Sequence, residues 1–165
     1  MVFTGAQGQQ IEQTVIGILK GYLTGKLAAD PYKSRLSAWG GVNITDTNKD
    51  AERFVATAKP FIFMSIDDGS HSRSLFRKRI DGTLYYGKQH AIEVILELCV
   101  TERCLNATKP LRDAVGDIID NGYFDLEALG LANTSINPTS STSQGVQLFN
   151  PHSVSCTVFT IPKPD

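Results

Sequence analysis

HAIEVILELCV, residues 90–100, is the stretch that decides the fold. Ile92, Val94, Leu96, Leu98 and Val100 take every second position, while Glu93, Glu97 and Thr101 point the other way. Successive side chains of a strand face opposite sides, so the segment predicts a strand with one buried and one wet face. A strand of that kind belongs in an antiparallel sheet covered on one side only. Two helical patterns are available to cover it. Ile11, Val15, Ile18, Leu19, Tyr22 and Leu23 recur at helical spacing and predict an amphipathic helix over 9–27. Leu111, Val115, Ile118 and Ile119 predict a second, with Thr108 as N-cap, Pro110 in the first turn and Gly122 at its close.

Further strands complete the sheet. Phe61–Ile66 reads as one, with Pro60 in front of it. Ser74–Ile80 and Thr83–Tyr86 flank Asp81-Gly82, the dipeptide favoured in two-residue hairpin turns. Ser153–Ile161 is the last, with Val154, Cys156 and Val158 on one side. Between these elements the polar residues 30–50 read as a long ordered loop and Asp50–Lys59 as a short helix. Asp125–Leu131 reads as a further helical turn or an irregular segment. Residues 133–144, with seven Ser or Thr, read as a long flexible loop. The expected fold is α+β: a single antiparallel sheet, two main helices packed on one face, a long β-hairpin and long loops. Residues 1–8 form an N-terminal arm, 9–161 one domain and 162–165 a tail. The arm and residues 133–147 are expected to be poorly packed in a free monomer.

Composition narrows the function. The chain has 165 residues, 41% hydrophobic and 20% charged, enough for one core without metal or disulfides. Sixteen Lys and Arg face seventeen Asp and Glu, so the basic excess of a dedicated nucleic-acid binder is missing. Three cysteines, Cys99, Cys104 and Cys156, do not make a disulfide framework. No leader pattern opens the chain and no apolar run is long enough for a membrane helix, which points to assembly in a reducing cytoplasm. Gly17, Gly21 and Gly25 fall four apart on the first helix, marking either a weak helix or a smooth packing face.

No catalytic motif emerges. Asp67, Asp68 and His71 could hold a metal, as in a metal-dependent hydrolase, but Asp, Gly and Ser also suit a solvated turn. His90 and His152 are isolated and read as strand-edge or loop residues. Cys99 and Cys104 lack zinc spacing, and Gly25-Lys26 lacks the upstream glycine of a phosphate loop. The reading assigns no catalytic residue, no metal ligand and no cofactor, and expects a protein that is not an enzyme.

Charge is more informative. Residues 71–90 carry Arg73, Arg77, Lys78, Arg79 and Lys88 against Asp81 alone, a net +4. Residues 113–127 carry Asp113, Asp117, Asp120, Asp125 and Glu127 with no base. These could be two solvated faces. The hairpin could also contact nucleic acid, with Phe76, Tyr85 and Tyr86 stacking bases. Or the hairpin of one copy could meet the acidic helix of the next, a head-to-tail contact that closes into a ring. Complementary charge would then set register more than affinity.

With its elements in this order, the chain resembles the tail terminator (tail-completion) proteins of long-tailed bacteriophages. The similarity lies in the strand HAIEVILELCV, the helix PLRDAVGDIIDNG and the closing strand VSCTVFTI, and it spans most of residues 9–161. It implies a structural virion protein made in the host cytoplasm. Such a protein forms a hexameric ring that caps the tail tube and joins it to the head–tail connector. Its partners would be further copies of itself, the tail tube protein and the connector protein, with no membrane and no sequence-specific nucleic acid. Another connector or baseplate subunit, a small nucleic-acid-binding module, and a metal-dependent hydrolase are the alternatives.

Overall fold

In a computed structural model of the chain, residues 3–4, 8–47, 50, 58–67, 71–138, 142–144 and 147–161 are described. The elements run β1 (Phe3–Thr4), α1 (Gly8–Leu27), α2 (Tyr32–Leu36), β2 (Asn43–Thr45), β3 (Phe61–Ile66), β4 (Ser72–Ile80) and β5 (Thr83–Val100). They continue with α3 (Thr108–Asn121), α4 (Tyr123–Ala128), β6 (Ala132–Pro138), β7 (Thr142–Gln144) and β8 (Gln147–Ile161). The fold is α+β, built on one sheet of eight strands.

β5 is the hub of that sheet. Its inner stretch pairs with β3 from Val94 to Cys99 on one edge. On the other edge it pairs with β8 from Lys88 to Val100. Farther toward its N-terminus, β4 takes over the first edge. All these ladders are antiparallel. Two short pairings are parallel, β1 with β8 and β2 with β3, so the sheet is antiparallel in its body and mixed at its margins.

One face of the sheet carries Ile62, Met64, Ile92, Val94, Leu96 and Leu98, all buried. Ile11, Val15, Leu19 and Leu23 from α1 and Leu111, Val115, Ile118 and Ile119 from α3 close over it. Both helices therefore share one core with one sheet face, because their apolar stripes have nowhere else to escape water. A smaller cluster of Val100, Cys104 and Ala107 sits beside it under Trp39. Gly17, Gly21 and Gly25 are exposed, and a Cβ on any of them would meet nothing. Among the described residues of the chain, no backbone packs against them.

Four segments differ from the sequence reading. Residues 30–50 hold α2, a 3-10 turn at Ser37–Trp39 and β2. Leu36, 1% exposed, anchors them in the core, which a purely polar loop could not do. In the stretch read as a long loop, Ala132–Pro138 and Thr142–Gln144 are strands on the outer edge of β8. Ser and Thr signal loops by side-chain competition, but an open sheet edge offers ladder bonds that any backbone can take. A bulge between Ala132 and Ser135, with Asn133 at φ 53°, brings the strand into register. In the N-terminal arm, Phe3 and Thr4 add to β8, and α1 already begins at Gly8. Finally, Ala107 rather than Thr108 is the N-cap of α3, and the Thr108 hydroxyl donates to the Leu105 carbonyl at 2.7 Å. The short helix read at Asp50–Lys59 lies largely outside the described residues.

Candidate functional site

Asp81 and Gly82 turn the hairpin with φ 50° and 81°. Positive φ at both central positions is the turn whose twist matches a β-ribbon. β8 reaches back along β5 only to Lys88, so Thr83–Gly87 has β4 as its one ladder partner among the described residues. At about 3.4 Å per residue, the ribbon runs about 17 Å beyond the sheet. Gly87 marks its exit. A Cβ there would stand 1.9 Å from the Thr160 carbonyl oxygen, so only glycine lets β5 and β8 meet at this point. Phe76 lies across the bare backbone opposite Gly87 and meets Phe159 edge-on, ring centroids 5.0 Å apart.

One face of the ribbon continues the helix-bearing face of the sheet. On it Arg73, Leu75, Arg77 and Arg79 lie opposite His90, Lys88, Tyr86 and Leu84. Leu75 is 86% exposed and Tyr86 62%. Arg73, Arg77 and Lys88 are exposed and make no ion pair among the described residues. Arg79 folds back on the turn and donates to the Gly82 carbonyl at 3.1 Å. The Lys78 side chain lies outside the described residues.

The acidic side is less uniform than its sequence. Lys109 donates to Asp113 at 2.6 Å and holds that carboxyl below its usual range. Arg35 reaches Asp117 at 3.4 Å. The Tyr22 hydroxyl donates to Asp125 at 3.2 Å; burial first, and then the Asp125 charge, push that phenol up. Asp120 and Glu127 are exposed with no such partner among the described residues. Beside them Phe124 is 78% exposed and Leu129 42%. The structure therefore brings Arg73, Arg77, Arg79 and Lys88 onto one face of the hairpin and its base, but divides the predicted acids into those with a partner and those without one among the described residues.

Beneath the ribbon lies a feature the sequence reading missed. The Glu12 carboxylate of α1 lies 2.7 Å from His71 Nδ1, His71 Nε2 lies 3.1 Å from His90 Nδ1, and His90 Nε2 lies 3.0 Å from the Thr160 hydroxyl. His90 is 2% exposed, and the His71 side chain is nearly as deep. The Thr160 hydroxyl donates onward to the Lys88 carbonyl at 3.5 Å, so it accepts from His90 Nε2–H; His90 Nδ1 then accepts from His71 Nε2–H, and His71 Nδ1–H donates to Glu12. Every ring nitrogen of the pair is used. Burial depresses His90 to about pKa 4, helped by the nearby positive charge of His71, Arg73 and Lys88. A second positive charge in the pair would set N–H against N–H.

This arrangement corrects two expectations. His71 does not sit in a solvated turn, and His90 is no edge residue. Nor do the two ring nitrogens of His71 turn to Asp67; they face Glu12 and His90. Asp68 lies outside the described residues. Among the described residues, no three His, Cys, Asp or Glu side chains group as metal ligands. His152 is buried on β8 opposite Leu96. The cysteines are buried and unpaired, and burial pushes Cys156 up to about 12 and Cys99 higher still, so these two thiols are poor nucleophiles. On the other sheet face, a depression of about 180 Å³ is lined by Glu93, Asn133, Ser155 and Thr157, and its one carboxylate already accepts a hydrogen bond from Ser153.

The missed signal was phase. His90 occupies the same alternation as Ile92 and Val94, so the core pattern extends one step further back than its last apolar residue. No family model matches the sequence, and no curated protein does.

Proposed function

We propose that the chain is a structural virion protein of the phage neck or tail, a tail terminator whose subunits join head to tail into a ring. The ribbon is the observation that carries this reading. Beyond Gly87 it stands clear of the sheet with Arg77 free of any ion pair among the described residues, and at its base, where β4 edges the sheet, Arg73 and Lys88 are likewise unpaired and Leu75 is 86% exposed. A lone two-stranded ribbon is marginal in water and gains stability when a further surface covers it. Exposed apolar side chains rimmed by charge mark a contact surface. The mechanism is steric and electrostatic, with no catalysis and no cofactor. Basic ribbon meets acidic surface at each joint, one ring face stacks on the last tube ring, and the other meets the connector.

The test is the variant Arg77→Glu with Arg79→Glu. Both side chains are exposed, so the expected product is a folded monomer that no longer forms rings in negative stain. Normal rings at physiological salt would defeat the reading. A second reading has one observation behind it: Arg77 lies directly opposite the exposed Tyr86, a cation beside an open ring. That pair suits stacking and phosphate contact with nucleic acid. Salt-dependent binding of random-sequence DNA, lost in the same variant while assembly is intact, would favour it.

A further inference from the structure

The acids that would receive the ribbon are not equivalent, and their differences single out a docking surface. Asp113 and Asp117 already hold Lys109 and Arg35. A new partner there would trade one exposed ion pair for another, and such pairs are worth only about 0–1 kcal/mol. Among the described residues, Asp120 and Glu127 have no cation to give up, and Asp125 accepts from a neutral phenol. The same corner carries apolar surface. Phe124 stands 78% exposed, its ring edge-on to Tyr123 at 5.3 Å, and Leu129 is 42% exposed. Phe124 and Glu127 are three apart on α4 and share one side of it.

The ribbon has the matching composition. Among the described residues of the ribbon and its base, Leu75, Leu84 and Tyr86 are exposed apolar groups, and Arg73, Arg77 and Lys88 are cations without an ion pair. We infer that the α4 corner of a second copy, centred on Phe124 and Glu127, is the surface that receives the ribbon. This rests on the head-to-tail reading and replaces its broad acidic helix with one corner. Within a single subunit the two surfaces do not cover each other, because Leu75 and Phe124 both stay open to solvent. Ribbon against ribbon would set cation against cation. The ribbon of one copy on the corner of the next satisfies both charge and apolar surface, and that contact is heterologous. Phe124 is then the anchor and Glu127 and Asp120 the charged rim, the usual division of labour in an interface.

Two variants decide the matter, with assembly read by sedimentation velocity and negative stain and folding by circular dichroism. Phe124→Ser with Glu127→Lys removes the corner; Asp113→Asn with Asp117→Asn removes the satisfied acids. All four residues are exposed, so both chains should fold. The corner variant should need about tenfold or more chain for half-assembly, the usual loss at an aromatic anchor. The α3 variant should assemble as the unaltered chain does. Adding Arg77→Glu to Glu127→Lys should restore part of the loss. If the α3 variant fails and the corner variant assembles, the inference is overturned while the head-to-tail reading stands. If the unaltered chain stays monomeric at every concentration and on tail tubes, both fall. If the ribbon binds DNA and assembly ignores all these variants, the nucleic-acid reading replaces both.

Discussion

One strand, β5, lives in two environments. From His90 to Val100 it is bonded for most of its length on both edges, and Ile92, Val94, Leu96, Leu98 and Val100 are each at most 2% exposed. From Thr83 to Gly87 it has β4 alone, and its apolar side chains face water. The backbone does not break between them. What changes is the number of surfaces that bury side chains, and with it the use of each half. The inner half holds the fold together. The outer half is carried by the inner one, through strand continuity and the Phe76–Phe159 contact over Gly87. Secondary structure therefore continues where stability does not, and the surplus surface is available to a partner.

The comparison can be broken at its strong end first. Leu96→Ala empties a fully buried position between both helices and the sheet, and should cost about 2–5 kcal/mol. Urea unfolding would read it as a lower midpoint at unchanged slope. Acid should come next. His90 in the folded chain sits near pKa 4, below the 6.5 of an open imidazole. The unfolded chain thus takes up its proton first as pH falls. Stability should be full above pH 6.5, decline between 6.5 and about 4, and level off below for this group. At about 1.4 kcal/mol per unit over about 2.5 units, the loss is of the order of 3–4 kcal/mol. A His90→Gln variant should lose that part of the slope when thermal unfolding is followed across the range.

Gly87→Ala strikes the boundary between the halves. Its Cβ would collide with a backbone oxygen of β8, which cannot swing aside as a side chain can. The expected cost is about 1–3 kcal/mol. Amide exchange should show the loss first at Lys88–Ala91 and at Thr157–Thr160. Protection at Leu96 and Leu98 should persist. Uniform loosening of the whole strand would show that the halves are one unit after all.

How much of this was legible follows from the same contrast. The inner half of β5 and the two long helices announce themselves, because burial on one side writes a period into the chain. The hairpin is legible from Asp81-Gly82, since few dipeptides tolerate positive φ twice. β6 is not, because Thr134 and Ser135 look like loop residues and its partner β8 is known only in three dimensions. The histidine chain needed Glu12, 59 residues from His71, and Thr160, 70 residues from His90. The basic patch could be counted from the sequence. That Arg35 already holds Asp117, 82 residues away, could not.

The smallest expected effect sharpens the comparison most. Leu75 stands on β4 at the base of the ribbon, opposite Lys88 and 86% exposed, where Leu96 of the inner half is 0% exposed. Both are leucines in central positions of strands, and strand propensity treats them alike. Burial does not. Leu75→Ser removes no contact with the core, so its unfolding free energy should lie within about 0.5 kcal/mol of the unaltered chain. It could even lie slightly above, since an apolar group leaves water in neither state. Yet the same change takes an apolar group from the proposed contact surface and should raise the concentration needed for assembly. A double mutant with Phe124→Ser should then show non-additive losses, because residues that touch across a joint share one interaction. Additive losses would separate Leu75 from Phe124. A fall in stability comparable to that of Leu96→Ala would mean that the ribbon is folded onto its own subunit and is not held out for another.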